Sequence, residues 1–544
     1  MTSNASARFA SRLREGGRRS HHGCRTAIAA RVAIAMVLTV AIAASAAAGG
    51  LETQGYAERI SRLYLDAGIA MPTVSLPLSH GRAVGLLDDL LARPLPDGVH
   101  RRAEALRAEA AAEGRDVEVR ADVVIRPELY LDVPRSPFAE QARVEDPLAS
   151  LLLAYGRPLG PYIAIEAVAQ REWVYRTSAT NVPRPVDGNP VPAENNLVRT
   201  GYLHVPSGGF GVTFGRQRFV LGPDAANTLS VSSAIPFLDA LKLTWTLGPL
   251  TMTSLTSTLE NREAVPKVTT EERDSADCDG YGFGTNTILY NIHYFEFAWP
   301  RVRAGIGSQV VIARPMNYFY LGDFFPVFSW HNAGIRPNNM SLLADVTVAP
   351  ARRVELFAQV GFDDISGESF GFADAAIPTI DAYIAGVRTS APWFDASASV
   401  IGGYTHYLWG TFEDGEYLAR AIYRIEADGP RPSMPLTSPH GPGALWMETK
   451  VAAATGPFSG ALTYLALGTL PDVDVYSVPY ASSAAIEARA RSWTHDVRID
   501  VGYRTPLGVS VHVGPGVSFA PREVRPYLEA GAEIRFASRR SITR

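Results

Sequence analysis

A strand that crosses a membrane needs about nine to eleven residues, nearly twice the usual length of a strand in a soluble sheet. Several stretches of this chain alternate apolar and polar residues over that distance. In "DVVIRPELYLDV", Val123, Ile125, Leu129 and Leu131 share one face, and Asp122, Arg126, Glu128 and Asp132 share the other. "RVELFAQVGFD" sets Val354, Leu356, Ala358, Val360 and Phe362 against Glu355, Gln359 and Asp363. "HDVRIDVGYR" sets Val497, Ile499, Val501 and Tyr503 against Asp496, Arg498, Asp500 and Arg504. A period of two is that of a pleated strand whose faces meet different surroundings. One oily and one polar face, sustained this long, fits a barrel wall with lipid outside and a polar lumen inside.

The turns carry a second regularity. Pro249, Pro300, Pro350, Pro392, Pro457 and Pro506 sit in short turns, most of them roughly 50 residues apart, which is two long strands plus a long loop. Short turns on one side and long loops on the other predict a large antiparallel transmembrane β-barrel of about 16–18 strands over 117–536. The turn parity conflicts between 404 and 443 and again at the first strand, so both strand counts stay open. "LEAGAEIRF" alternates to Phe536, and the spacing over 529–536 resembles the terminal signal read by the bacterial barrel-insertion machinery. Residues 537–544, "ASRRSITR", then read as a tail.

Before the barrel lie two other segments. Basic residues precede "VAIAMVLTVAIAASAAAGG", so residues 1–48 read as an export signal cleaved near Ala48, with a retained anchor as the alternative. Residues 49–116 read as a small helical periplasmic element: Ser79 can cap a helix that places Val84, Leu87 and Leu91 on one face, and Pro96 restarts another. The net charge of −4 gives no reason to expect nucleic acid. The two cysteines, Cys24 and Cys278, allow no zinc spacing. The sequence has no Gly-x-Ser-x-Gly, no His-Glu-x-x-His and no phosphate loop, so no catalytic residue, metal or cofactor is assigned.

Residues 209–243, "GFGVTFGRQRFVLGPDAANTLSVSSAIPFLDALKL", combine Gly-Arg-Gln, Gly-Pro, Asn-x-Leu-x-x-Ser and Pro in one run. "FEFAWPRVRAGIGSQV", "NNMSLLADVTV" and "VELFAQVGFDD" follow in order. Together they resemble the capsule-assembly Wzi-type family of outer-membrane barrels, with Leu221 standing where that pattern has Trp. The resemblance implies an 18-stranded barrel with a periplasmic helical element, non-enzymatic, acting on capsular or extracellular polysaccharide like a lectin. A passive porin is the alternative. Outer-membrane lipid and a surface polysaccharide are the partners this implies.

Read as residues, Arg216, Gln217, Asp345, Gln359 and Asp363 form a candidate lumen polar network, in which Arg216 can pair with Asp345 or Asp363 and Gly215 can permit a bulge. Asp363 and Asp364 read as the solvated start of a loop, with a cation site as the alternative. The loop "NYFYLGDFFPVFSWHN" offers Tyr318, Tyr320, Trp330 and His331 to stack on sugars, and Asp323 or Asn332 to bond hydroxyls. An aromatic girdle or an inward plug accounts for the same residues. For "YTHYLWGTF" the girdle is the leading reading.

Overall fold

The computed structural model describes residues 53–542 except 115–116, 126–127, 132–148, 158, 172–192, 236, 260–285, 316–337, 366–378, 392–394, 411–421, 425–433, 471–485 and 487–488. Eighteen antiparallel strands close into a barrel. β1 is Val117–Ile125 and resumes at Glu128–Leu131; β2 is Ala149–Gly156, β3 Tyr162–Arg171, β4 Ala193–Ser207, β5 Phe210–Gln217 and β6 Leu238–Leu247. β7 is Leu250–Leu259, β8 Asn286–Ala298, β9 Val302–Pro315, β10 Asn338–Ala351, β11 Val354–Asp364 and β12 Ile380–Ala391. β13 is Ala396–Thr405, β14 Leu445–Thr455, β15 Phe458–Thr469, β16 Ser492–Arg504, β17 Ser510–Ala520 and β18 Glu523–Ile542.

The two pieces of β1 are one strand in one register. Ile125 faces Ile534 of β18, and Leu131 faces Leu528 with the same offset. β1 also pairs with β2, which closes the ring. The parity conflict disappears because no described residue of 406–444 belongs to a barrel strand. Ile422–Arg424 and Met434–Pro435 pair only with each other, and β13 runs directly beside β14. The turns at Pro249, Pro300, Pro350, Pro457 and Pro506 then fall at one end, and Pro392 lies outside the described residues. The expected tail is also revised: β18 does not stop at Phe536. Ala537 to Ile542 pair with Asp122 to Val117, so these residues belong to the wall.

Alternation along each strand sets the two faces. Leu151, Leu153 and Tyr155, Ile163 and Ile165, Ile499 and Val501, and Val511 and Val513 stand exposed on the outside. In β11 Leu356 is exposed, while Glu355, Gln359 and Asp363 are buried inside, as the alternation predicts. No helix among the described residues is long and apolar enough to cross a membrane.

Among the described residues three helices precede the barrel: α1 Thr53–Ala67, α2 His80–Leu91 and α3 Asp97–Gly114. They share a core of Ile60, Leu63, Tyr64, Leu86, Leu87, Leu90 and Ala103. Ser79 does cap α2, accepting from the Arg82 amide at 3.2 Å. The buried face is turned slightly from the expected one: Ala83, Leu86 and Leu90 are buried with Leu87, while Val84 and Leu91 are only partly so. The unit docks on the short-turn end. The Ala70 amide donates to the Pro300 carbonyl at 3.1 Å, and the Arg353 amide to the Leu65 carbonyl at 2.8 Å. Gly68, at φ 73°, passes so close to the Arg352 backbone that a Cβ would lie 2.9 Å from its Cα.

Ending the chain at Phe536 would strip β1 of its partners from Val117 to Asp122. At roughly 0.5–1.5 kcal/mol net per hydrogen bond, we expect the folded band on an unboiled gel to convert at a clearly lower temperature. An unchanged conversion temperature would show that the seam closes without those residues.

Candidate functional site

The lumen is entered from both ends. From the short-turn end, residues 71–78 leave the helical unit and run inside the wall. From the opposite end, residues 218–237 fold inward between β5 and β6. The two meet: Ser75 and Leu76 pair with Leu221 and Val220 as a small antiparallel ladder. The inward loop is oily where it meets the wall. Phe219, Leu221, Leu229, Val231 and Ile235 pack in one core with wall residues Leu255, Tyr290, Ile292, Leu343, Phe357, Ile384 and Trp446. A barrel interior lined with such residues is completed only by an apolar filling, and the loop supplies it.

Polar contacts fix the filling in place. Glu296 of β8 is fully buried; its carboxylate accepts from Thr73 Oγ1 at 2.7 Å and from the Val74 amide at 2.7 Å. The same carboxylate is 3.4 Å from Arg303 of β9, whose guanidinium also bonds Asp345 and donates to Thr347 Oγ1 at 2.9 Å. All three charged side chains are excluded from solvent. Gly305 makes room for them, since a Cβ there would lie 2.6 Å from Asp345 Oδ2. A buried ion cluster of this kind holds only while each member keeps its partners.

Gln359 of β11 grips the inward loop. Its Oε1 accepts from the Leu229 amide at 2.8 Å and from Thr228 Oγ1 at 3.1 Å. Gln309 of β9 donates to the Leu229 carbonyl at 3.1 Å and accepts from Tyr290 at 2.7 Å. Trp446 of β14 donates to Asn227 Oδ1 at 3.1 Å. Arg388 of β12 bridges Glu355 at 2.6 Å and Asp224 at 2.9 Å, and reaches the Pro223 carbonyl as well. Asp363 accepts from Ser341 Oγ at 2.7 Å, Asn339 Nδ2 at 3.3 Å and the Gly410 amide at 3.2 Å.

Of the expected network, Gln217, Asp345, Gln359 and Asp363 are buried inside. Arg216 is not part of it. It alternates with Phe210 and Phe214, both exposed, and so stands on the outer wall. There it forms a two-pronged pair with Asp239 at 2.7 Å and stacks on the Phe237 ring, rather than meeting Asp345 or Asp363. Gly215 has φ 124°, yet the register of β5 stays regular on both sides, so no bulge forms. Asp363 is a buried acceptor that pins the 406–410 segment, not a solvated loop start. That segment is also revised: Tyr407, Leu408 and Trp409 fold into the lumen core instead of a girdle, with the Trp409 ring over Gly361. Tyr404 does face outward, stacked on Tyr383. Tyr318, Tyr320, Asp323, Trp330, His331 and Asn332 lie outside the described residues.

Glu296, Arg303, Gln309 and Arg388 had no assigned role in the sequence reading, although each occupies an inward position of an alternating strand. The signal lay in that parity combined with their bulk and charge. Across the lumen, β16–β18 carry a different wall. Arg498 bonds Asp500 and Glu529, and Tyr527 donates to Asp496 at 2.8 Å. Arg498 and Asp500 are partly exposed, Glu529 less so, and Tyr527 is buried; Ser510, Gly514, Gly516 and Ser518 beside them are small.

No family model matches the chain, and no curated relative matches it. Solved structures do. Wzi, an outer membrane protein involved in group 1 capsule assembly in Escherichia coli and a carbohydrate-binding β-barrel, superposes with a TM-score of 0.57. The match covers 89% of this chain and 97% of that one, at 13% identity. The two share a fold. Pseudomonas aeruginosa OccK9 gives a TM-score of 0.41 at 10% identity over 78% of this chain and 98% of that one. A BenF-like porin from Pseudomonas fluorescens gives 0.40 at 9% identity, over 77% and 99%.

Arg303→Met would leave Glu296 and Asp345 buried without their cation, a loss of about 3–5 kcal/mol, read as a lower urea midpoint of the refolded protein. Gln359→Leu would orphan the Leu229 amide at about 1–3 kcal/mol. That loss should appear as faster protease cleavage between 224 and 235, with the barrel still heat-modifiable. Cleavage at the parent rate would show that Gln359 does not hold the loop.

Proposed function

We propose that this protein is a non-enzymatic outer-membrane barrel with a closed lumen that attaches or assembles polysaccharide at the cell surface. The helical unit then lies in the periplasm, since short turns mark that side of such barrels. One observation carries the reading: the inward loop and residues 71–78 meet inside the barrel, bonded to the wall through Glu296, Gln359 and Arg388. A passive pore has no use for an apolar core across its lumen. The fold likeness to a carbohydrate-binding barrel supports the glycan half of the proposal.

A second reading, a narrow channel, is favoured by the partly exposed charged wall of β16–β18. A planar-bilayer recording of the refolded protein separates the two. We expect electrical silence from protein shown to be inserted, and open steps once 224–233 is replaced by a short Gly-Ser linker. Large steady steps from the parent chain would reject the closed-lumen reading. A silent barrel that retains no acidic or neutral polysaccharide on a glycan array would reject the attachment role.

A further inference from the structure

Beside residues 73–82, on the side facing β3–β7, lies a cavity of about 280 Å³. It is lined by the helical unit on one side and by the inner wall on the other. The turn glycines Gly208 and Gly209 stand at its rim, so it opens at the short-turn end. No acidic side chain lines it among the described residues.

Its cations are poorly answered by the protein. Lys242 of β6 is buried, and among the described residues its Nζ has one hydrogen-bond partner, the Pro77 carbonyl at 3.3 Å, and no ion-pair partner. Arg82 of α2 reaches Thr251 Oγ1 at 3.3 Å, while its Nε is buried without a partner. Glu296 lies nearby, but its oxygens already serve Thr73, Val74 and Arg303. Gln217 is 6% exposed and its side-chain Oε1 has no partner; His204 Nε2 has none either. Ser79, Gly81 and Arg82 of the first turn of α2 line the cavity. A buried ammonium with one long hydrogen bond is costly unless something completes its shell. The tilted pair Tyr162 and Tyr202, 6.4 Å apart, adds a flat aromatic wall.

We propose that this cavity binds a small anionic ligand, a carboxylate or phosphate on a body no larger than a monosaccharide, admitted from the short-turn end. Lys242 and Arg82 meet the charge, and Gln217, with its amide turned either way, meets a neighbouring hydroxyl. The site lies at the opposite end of the barrel from the long loops, so it stands or falls apart from surface glycan attachment.

Calorimetric titration of the full-length protein in detergent micelles tests it, with glucuronate, inorganic phosphate and neutral glucose as probes. At least one anion should bind saturably, with glucose weaker by about tenfold or more, as expected for losing a charged hydrogen bond. Lys242→Met should weaken the anion by about the same factor. Gly211→Leu fills the cavity from β5 and keeps every charge, and should abolish binding. Glucuronate without phosphate would make the ligand a sugar acid, and phosphate alone a small oxyanion; either supports the site. Equal binding of glucose and both anions, no anion binding, or affinity untouched by Gly211→Leu would overturn it. If Lys242→Met loses its heat-modifiable band, Gly211→Leu alone decides.

Discussion

In hydrocarbon no backbone N–H or C=O can be left without a partner, so a sheet survives there only as a closed ring. Everything in this molecule depends on the join between its first and last barrel strands. β18 is twenty residues long and serves both pieces of β1 in a single register. Its length lets one strand pair with β1 from Val117 to Leu131 and complete the ring. Once that ring closes, alternation does the rest: each strand delivers every second side chain to lipid and the others to a shared interior.

The interior then has to be satisfied as a protein core is. Part of it is apolar and is filled by the inward loop around Leu229, Val231 and Ile235. The remainder is charged, and the charges fall into two kinds. Around Arg303 they are dry, mutually bonded and committed to holding residues 73 and 74. Along β16–β18 they are partly exposed and bonded to each other across adjacent strands. A dry cluster fixes geometry, because removing one member strands the others, whereas a solvated ladder tolerates change. The barrel thus has a rigid side and an adaptable side.

Much of the wall was legible in the sequence because lipid and lumen impose a period of two that survives locally. The inward placement of Glu355, Gln359 and Asp363 follows from that period alone. Arg216 was misplaced because its run, Phe214 to Gln217, is too mixed to show which parity faces lipid; only the exposed Phe214 decides it. The strand count was ambiguous because the aromatic run Tyr404 to Phe412 reads as girdle, which sets the turn parity between 404 and 443 at odds with the rest. Its Tyr407 and Trp409 are as oily as lipid-facing residues, and only the three-dimensional path shows them packed against Gly361 from within. The helical unit's reach into the lumen left no local signal, since Thr73 and Val74 become special only through Glu296, more than two hundred residues away.

That separation in sequence constrains assembly order. Residues 71–78 come early in the chain, yet they are held by Lys242 of β6, Glu296 of β8 and the ladder with Val220–Leu221, all synthesised later. The contacts of residues 71–78 with the wall therefore form only after the later strands are made. Either the ring closes around an already extended finger, or the finger threads into a finished ring from below. The ladder between Ser75–Leu76 and Val220–Leu221 needs both halves present, so it is a late step on either route. Its formation marks the moment at which the two ends of the lumen become one continuous piece of chain.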